Sequence, residues 1–414
     1  MEDLDAYRLR ARAWLADNMP RIGPDSAPWE PMNVGEDDAA HAKELQKILY
    51  SGGYTGICYP AAYGGQGLEP AYQRAFTEES LAYEMPLLYN VPTLSILAPT
   101  ILEFGTEEQK QEYLRPIFAG ETLWVQFLSE PSGGSDLAGA ITSARRDGET
   151  YVLNGSKIWS SYAYFSDYAL CLARTNWEAT KHRGLSMFVV KIHQPGVTVE
   201  RIKQSNGGVE FCQEYFDDVS IPAANLIGTE NDGWTVASRM LFHERSATGG
   251  MSPYISGRAG GSTGHPLVDL VDLVRGTGQE DDATARQHLA TAHVYDVVQA
   301  QLIRRVTAGI RVKALPEPSG SLLRLMSGVR RVQRTNAGFE IGGLGAVSWP
   351  TDDEADLESF GAEYVFRQAA CLGGGSTEMQ RNIISERVLG MPREYAADKD
   401  RPFGETRRNP NPTR

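Results

Sequence analysis

The sequence is poor in cysteine, which argues against domains stabilised by disulfide bonds or by zinc. It has only four cysteines in 414 residues, and none of them forms a CxxC pair. Widely separated thiols argue against a disulfide framework and against a zinc site. We therefore expect free thiols in a reducing, cytoplasmic environment, and no metal site.

Excess positive charge and long apolar runs are also missing. The formal net charge is −13, whereas nucleic-acid binding needs a basic face that neutralises phosphates. The most apolar stretch, 91–101, is short and contains two prolines, and a membrane-spanning helix needs about 20 apolar residues. The beginning, MEDLDAYRLR, lacks the apolar segment of a signal peptide. We expect neither a nucleic acid nor a membrane as partner.

Familiar motifs of nucleotide binding and hydrolysis are absent. There is no GxGxxG after a strand pattern, no GxxxxGK[ST], no HExxH and no GxSxG. The near match IGGLGA, at 341–346, follows a helical pattern and lacks the third glycine. These absences exclude the common dinucleotide-binding, P-loop, zinc-protease and serine-hydrolase sites.

What is present is an ordinary globular composition arranged in three parts. With 41% apolar and 22% charged residues, the chain can bury a sizeable core. Helical spacing dominates 1–122, short β-branched and aromatic runs fill 123–230, and helical spacing returns over 231–400. The last residues, 401–414, are polar and rich in proline, so we expect a loose tail. Helices, then strands, then helices predict an α+β fold.

Two segments carry candidate chemistry. QFLSEPSGGSDLAG, at 126–139, leaves a strand and enters a loop whose hydroxyls and backbone amides suit an anion or a polar ring edge. NGSKIWSS, at 154–161, begins with a hairpin-turn signal and continues as a strand, whose alternation places Trp159 and Ser161 on one face. Each segment alone is also consistent with a simpler interpretation, a solvated turn or a core tryptophan.

Taken together, these segments resemble the acyl-CoA dehydrogenase flavoproteins. SEPSGGSD is followed about twenty residues later by LNGSKIWSSYA, and GGGSTEMQRNIISERVLGMPRE lies near the end of the chain. YPAAYGGQGL and FGTEEQKQEYLRPIFAGE also resemble that family, so the similarity covers nearly the whole chain. The resemblance implies a helical N-terminal domain, a central β domain and a C-terminal four-helix bundle. It also implies FAD, an acyl-CoA substrate, and an electron-transferring flavoprotein as acceptor.

The resemblance also implies roles for individual residues. Ser129 and Ser161 match hydroxyls at the flavin ring edge, with Ser161 near flavin N5. Trp159 matches the tryptophan that flanks the ring, and Ser135 matches a hydroxyl near the pyrophosphate and the acyl-CoA. The remaining cofactor residues implied by the match are Gln126, Leu128, Gly134, Ser160, Gly342, Gly343, Ser376 and Glu378.

The catalytic base needs a separate argument. Many family members carry it as a glutamate in a short C-terminal motif, but the matching position here is Gly374, which has no side chain. On the predicted helix DGWTVASRMLFHER, Glu244 shares a face with Ala237 and Met240. Desolvation on an apolar face raises the pKa of a carboxyl group toward the range of a general base. Glu244 also matches the position of the base in the long-chain and isovaleryl branches, so we predict that it is the base.

The neighbouring positions complete the predicted substrate site. The backbone N–H of Gly374 is expected to polarise the thioester carbonyl as an oxyanion hole does, and Gly375 is expected to lie beside the substrate. Without a side chain, residue 374 leaves room for a bulky or branched acyl group. Arg245 either contacts the acyl-CoA or forms an ion pair that orders the site; the sequence leaves both open.

Departures from the family pattern keep further alternatives open. The family's Arg-x-x-Phe-Gly stretch is replaced by a glycine-rich insert, and Phe339 stands where many members carry a glutamine for the FAD adenine. The insert resembles a bacterial sub-branch that acts on sterol side chains and includes heterotetramers. We therefore expect a homotetramer or a heterotetramer with a related chain, in fatty acid or sterol side-chain degradation. The alternatives are a flavin monooxygenase or oxidase on this fold, and a non-catalytic partner subunit.

Overall fold

A computed structural model describes residues 2–23, 34–248, 252–255, 269–347, 360–396 and 398–406. The chain forms two compact units. The first comprises residues 1–202, 210–261 and 396–414, and the second comprises 203–209 and 262–395. Helices precede and follow a β-sheet along the chain, which confirms the predicted α+β order.

The N-terminal part of the first unit is helical. Side-chain caps explain where several of its helices begin: Asp3 accepts hydrogen bonds from the backbone of the first turn, and Thr106 forms a capping box with Gln109. The second helix ends at Gly52, the first of two consecutive glycines. The helices are α1 (Leu4–Asn18), α2 (Glu36–Ser51), α3 (Pro70–Ser80), α4 (Leu87–Tyr89), α5 (Ala98–Phe104) and α6 (Glu107–Phe118).

The N-terminal part contains a long apolar segment, Leu87–Phe104. Among the described residues, only Leu87–Phe104 is long and apolar enough to cross a membrane by length and composition. In the structure 72% of that segment is buried, and its helix is interrupted at Val91, whose backbone is extended. Leu97 and Ile101 are fully buried in the main core cluster. The segment is thus a core element of the first unit.

The middle of the chain forms one eight-stranded sheet. The strands are β1 (Trp124–Phe127), β2 (Ser143–Asp147), β3 (Thr150–Ser161), β4 (Tyr168–Arg174), β5 (Leu185–Lys191), β6 (Val197–Arg201), β7 (Phe211–Pro222) and β8 (Leu226–Ile227). The strand order is β6-β7-β3-β2-β4-β5-β8, and β1 pairs with β4 in parallel. Alternate residues of these strands pack into a second core cluster, which includes Phe127, Leu153 and Phe188.

The expectation of a hairpin turn at Asn154-Gly155 is wrong. Both residues lie inside β3, and the chain reverses instead near Gly148, between β2 and β3. The register of β3 against β7 shifts just before Gly155, whose φ is +140°. A Cβ at Gly155 would lie 2.7 Å from Thr142 Cα, so glycine is needed for a close strand approach. The dipeptide makes a β-bulge here.

The helix that carries Glu244 belongs to the first unit. This helix, α7 (Gly233–Thr248), buries Val236, Ala237 and Met240 in the same core cluster as Met187 of β5. The domain boundary predicted at residue 231 therefore does not coincide with the boundary between the compact units. The apolar face of α7, packed on the sheet and on α5, is the physical reason.

Among its described residues, the second unit contains helices and turns and no β-strand. Asp296 of its longest helix accepts hydrogen bonds from Arg330 (2.5 Å) and Arg334 (2.8 Å) of the next long helix, which joins the two side by side. The helices are α8 (Leu270–Gly276), α9 (Ala283–Arg311), α10 (Gly320–Gly342), α11 (Leu344–Val347), α12 (Phe360–Phe366) and α13 (Thr377–Ile383).

The expectation of a loose tail after residue 400 is wrong for residues 402–406. A short 3₁₀ turn, Phe403–Glu405, packs against the first unit. Phe403 is buried, and its backbone N–H donates to Ala179 at 2.9 Å. Its ring lies 3.5 Å from the guanidinium carbon of Arg174. Burial of an aromatic ring against a cation holds this segment in place. Residues 407–414 lie outside the described residues.

Candidate active site

The Gly/Ser loop after β1 is anchored by a buried carboxylate. Glu130 accepts hydrogen bonds from the backbone of Ile141 (2.7 Å) and Thr142 (2.9 Å), so it ties the start of the loop to its end. Lys157 of β3 donates to the same carboxylate at 2.8 Å. Burial alone disfavours the charged form, but Lys157 and the backbone donors outweigh it and hold the pKa of Glu130 below its usual range.

The two segments singled out in the sequence lie side by side. The Lys157 ammonium, which is fully buried, also donates to the carbonyl oxygen of Leu128 at 3.0 Å. The backbone N–H of Ile158 donates to the carbonyl oxygen of Ser129 at 2.9 Å. These bonds join the strand that ends at Ser161 to the first residues of the loop. Gly134 and Ser135, farther along the loop, are exposed.

Trp159 occupies a bulge rather than a regular strand position. The register against β7 shifts between Ile158 and Ser160, and Trp159 has φ +66°. Strand alternation therefore does not place Trp159 and Ser161 on one face, because the argument requires a regular pleat. The indole is 54% exposed and meets the ring of Phe211 edge-on at 5.7 Å. A large aromatic ring is thus held at the surface beside the loop.

Ser160, also predicted to contact the cofactor, points its hydroxyl into the sheet core. The residue is 4% exposed, and its Oγ donates to Glu214 Oε2 of β7 at 3.0 Å. The Ser160 hydroxyl therefore faces the protein interior, whereas the next residue, Ser161, is half-buried.

Glu244 lies on α7 opposite the end of β1. Its Oε2 accepts a hydrogen bond from Gln126 Nε2 at 3.2 Å. The turns before it are fully buried through Ala237 and Met240, so the carboxylate does extend from the apolar face of the helix. Arg245 follows on the same helix and is half-buried. The base predicted from the sequence and one predicted cofactor residue are thus direct partners.

An ion cluster next to Glu244 attaches α7 to α5. Glu103 Oε2 accepts from Arg239 Nε at 2.6 Å, and Glu103 Oε1 lies 3.0 Å from His243 Nε2. Burial lowers the pKa of His243; Arg239 lowers it further, and Glu103 opposes the shift. Since His243 immediately precedes Glu244, this cluster fixes the rotation of the helix turn that carries the carboxylate.

In the second unit, the predicted substrate glycines form a left-handed turn before α13. Gly374 and Gly375 have φ +67° and +88°. Gln380 Nε2 donates to the Gly375 carbonyl at 3.2 Å, and Arg324 Nε of α10 donates to the Gly373 carbonyl at 3.0 Å. Two long side chains therefore set the conformation of this turn, which requires residues that tolerate positive φ.

The other predicted cofactor residues of the second unit have visible structural roles. The Ser376 hydroxyl caps α13 by accepting from the backbone of Met379 at 3.2 Å, and Glu378 is exposed in the first turn of that helix. Gly342 and Gly343 end α10. Phe339, at the position where the family pattern has a glutamine, stacks on Tyr364 at 4.3 Å.

The sequence analysis did not identify two buried charged residues beneath the loop, Lys157 and Glu214. Lys157 and Glu214 are cross-strand partners and are both fully buried. A signal was available for Glu214, because it stands at an inward position of a strand whose other inward residues are apolar. Buried charges of this kind are rare unless they are paired.

Comparison with known proteins defines the class of this protein. Residues 2–121 match the family model described as acyl-CoA dehydrogenase, N-terminal domain, and residues 126–219 match acyl-CoA dehydrogenase, middle domain. The chain belongs to the acyl-CoA dehydrogenase family and is an oxidoreductase of that type, which confirms the resemblance seen in the sequence.

Several relatives match this protein over most of its length. It is 33% identical to acyl-CoA dehydrogenase IpdE1 of Mycobacterium tuberculosis, over 95% of this chain and 99% of that protein. It is 32% identical to acyl-CoA dehydrogenase FadE26 of the same organism, over 82% and 86%. Among solved structures, the Tcur3481-Tcur3483 steroid ACAD matches with TM-score 0.72 and 26% identity, over 95% and 99%. The ChsE4-ChsE5 complex from Mycobacterium tuberculosis matches with TM-score 0.68, 26% identity and the same coverage.

Proposed function

We propose that the chain catalyses the FAD-dependent α,β-dehydrogenation of an acyl-CoA thioester to the trans-2-enoyl-CoA, with Glu244 removing the α-proton. The observation that carries this proposal is the hydrogen bond from Gln126 to Glu244. It holds a carboxylate beside the strand that leads into the Gly/Ser loop. A general base must be kept within reach of the proton that it removes, and this contact anchors the carboxylate from outside its own helix.

The residues of the first unit suit a flavin. The exposed indole of Trp159, held by Phe211, offers a flat apolar face for a planar ring, and the half-buried hydroxyls of Ser129 and Ser161 suit its polar edge. The exposed backbone around Ser135 suits a pyrophosphate, since consecutive N–H groups in a turn attract anions. When bound, FAD would supply the acceptor of the β-hydride.

The family resemblance supports Gly374, in the glycine turn before α13, as the residue that contacts the thioester. Gly374 carries no carboxylate, so the turn offers no second base; its backbone N–H is left to polarise the thioester carbonyl, which makes the α-proton more acidic. Gln380 and Arg324 hold the neighbouring carbonyls, and this keeps the turn in one conformation. Arg245 remains assigned to acyl-CoA contacts or to an ion pair that orders the site.

The substrate and partners are further parts of the proposal. A missing side chain at residue 374 suits a bulky acyl group, and one structural neighbour is described as a steroid ACAD; both support a branched or sterol-derived acyl-CoA. A second neighbour is a complex of two named chains, which supports a tetramer formed with copies of this chain or with a related chain. We further propose an electron-transferring flavoprotein as acceptor, and a cytoplasmic location.

The decisive experiment is anaerobic flavin reduction. The purified protein, alone and co-expressed with candidate partner chains, is loaded with FAD and titrated with acyl-CoAs of increasing bulk. Bleaching of the flavin band with formation of enoyl-CoA is the expected result. Glu244→Gln should retain FAD and lose roughly 10²- to 10⁴-fold in the reduction rate, whereas Glu149→Gln, an exposed carboxylate of the first unit, should reduce normally.

Four results would contradict the proposal in different ways. Rapid reaction of the reduced protein with oxygen, without an electron carrier, would indicate an oxidase or monooxygenase. Protein that stays colourless with excess FAD in every combination would contradict flavin binding. Bleaching at the wild-type rate by Glu244→Gln would move the base elsewhere or onto a partner chain. Light scattering that shows an active monomer would contradict the tetramer.

A further inference from the structure

Beneath the bulge that carries Trp159 lies a buried carboxyl group that the proposed reaction does not use. Glu214 of β7 is fully buried. Its Oε2 accepts the hydrogen bond from Ser160, and its Oε1 has no hydrogen-bond partner among the described residues. Ser160 stands between Trp159 and Ser161, so this single bond ties the bulge to the sheet interior.

The neighbouring charges leave Glu214 without a counter-ion of its own. Lys157, its cross-strand partner, donates to Glu130 and to the Leu128 carbonyl. One buried ammonium therefore faces two buried carboxyl groups, and the contact geometry assigns it to Glu130. An isolated charge in such a core is costly, and a carboxyl group there takes up a proton instead.

Among the described residues, Lys157 is the cation whose charge acts on the Glu214 carboxyl group. β6 faces it with Val199, while Arg201 of β6 lies opposite Cys212. The titratable groups nearby on β4 and β7 are the thiols of Cys171 and Cys212, which interact unfavourably with a charge on Glu214. Burial is the main cause that raises the pKa of Glu214 to about 8, against the smaller opposing effects of Ser160 and Lys157.

We propose that protonated Glu214 is a positioning residue of the cofactor site, which fixes the Trp159 bulge through Ser160 and leaves Lys157 to hold the Gly/Ser loop through Glu130. This inference rests on the proposed binding of FAD by these segments. When Glu214 loses its proton, the new carboxylate competes with Glu130 for Lys157, the cation whose charge acts on it. The Gly/Ser loop, held by Lys157 through Glu130, and the bulge, held by Ser160, then lose their fixed arrangement together.

The test compares FAD affinity across pH in the full-length protein. Apoprotein is titrated with FAD from pH 6.5 to 9 for the wild type, Glu214→Gln, Glu214→Leu and Ser160→Ala. Glu200→Gln, an exposed carboxylate on β6, is the matched control. The wild type and the control should lose affinity roughly five-fold or more above pH 8, whereas Glu214→Gln, which stays neutral, should keep a constant affinity. Glu214→Leu and Ser160→Ala lack the bond to the bulge and should bind roughly five-fold more weakly at every pH.

Amide hydrogen exchange of the apoprotein gives a readout that does not require FAD. Exchange at residues 158–161 and 141–142, corrected for intrinsic rates, should accelerate together above pH 8 in the wild type but not in Glu214→Gln. If no variant binds FAD, the proposed function fails while this measurement still tests Glu214. Identical pH profiles of exchange in the wild type and in Glu214→Gln would overturn the inference. So would identical pH profiles of FAD affinity in a protein that binds FAD.

Discussion

Gln126 and Glu244 are 118 positions apart in sequence and are joined by a hydrogen bond of 3.2 Å between Nε2 and Oε2. Gln126 is the last residue but one of β1, and Glu244 lies on the helix that packs over the sheet. The contact depends on the burial of α7 in the core of the first unit. The position of the proposed base is therefore set by packing between segments that are distant in sequence.

Replacing Gln126 tests whether this contact matters for proton removal. Gln126→Leu removes the donor to the charged carboxylate, and a lost donor favours the protonated form. The acidic limb of the pH profile for flavin reduction should therefore move to higher pH, with a lower rate at neutral pH. Gln126→Asn, which shortens the side chain but keeps the amide, should fall between the two. An unchanged pH profile in Gln126→Leu would show that Glu244 is positioned by other contacts.

The cluster of Glu103, Arg239 and His243 predicts an acid-sensitive stability. Burial lowers the pKa of His243, so the unfolded chain binds this proton more readily than the folded protein does. Stability should consequently fall as the pH drops below about 6.5, the ordinary histidine range. Thermal unfolding at pH 7.5 and 5.5 measures the loss. It should be smaller in His243→Gln and unchanged in His193→Gln, whose histidine is exposed; equal losses in both variants would contradict the prediction.

Lys157 should be the most sensitive single residue beneath the loop. Lys157→Met leaves the buried carboxylate of Glu130 without its cation, and breaking a buried ion pair costs about 3–5 kcal/mol. Denaturant unfolding should show this loss together with weakened FAD binding. Adding Glu130→Gln should recover part of the stability, because the uncompensated charge is removed. Lys191→Met, an exposed position on β5, serves as control; an additive double variant would argue against direct coupling.

The glycine turn of the second unit allows a matched pair of substitutions. Gly375 has φ +88°, a conformation that strains any residue with a Cβ, and a Cβ there would displace the Gln380 amide, so Gly375→Ala should cost about 1–3 kcal/mol. At Gly373 a Cβ meets its nearest atom at 3.8 Å, and Gly373→Ala should be tolerated. Comparison of the two melting temperatures checks the prediction, which fails if both variants unfold alike.

The sequence was sufficient for the family and for the order of helices and strands, because periodicity and motif spacing are local properties. It was insufficient wherever contact with a neighbouring strand decides the local backbone conformation. Asn154-Gly155 forms a bulge because Thr142 approaches the backbone too closely for any side chain. Trp159 leaves the alternating pattern for the same kind of reason, a register shift set by β7.

The candidate site was predictable to a similar extent. Glu244 could be proposed from helical spacing and family resemblance, but its partner Gln126 required the packing of α7 on the sheet. Glu214 escaped notice because a single glutamate in a strand is ordinarily exposed. The apolar residues at the other inward positions of its strand were the signal that it is buried.

The docking of Phe403 on Arg174 has a consequence for synthesis of the protein. Arg174 donates hydrogen bonds to the carbonyl oxygens of Ala138 and Ala140, where the Gly/Ser loop returns to the sheet. The aromatic cover of this arginine is translated long after the loop itself. The first unit therefore cannot reach its final packing during translation of its own strands, and a product truncated before residue 403 would lack that cover.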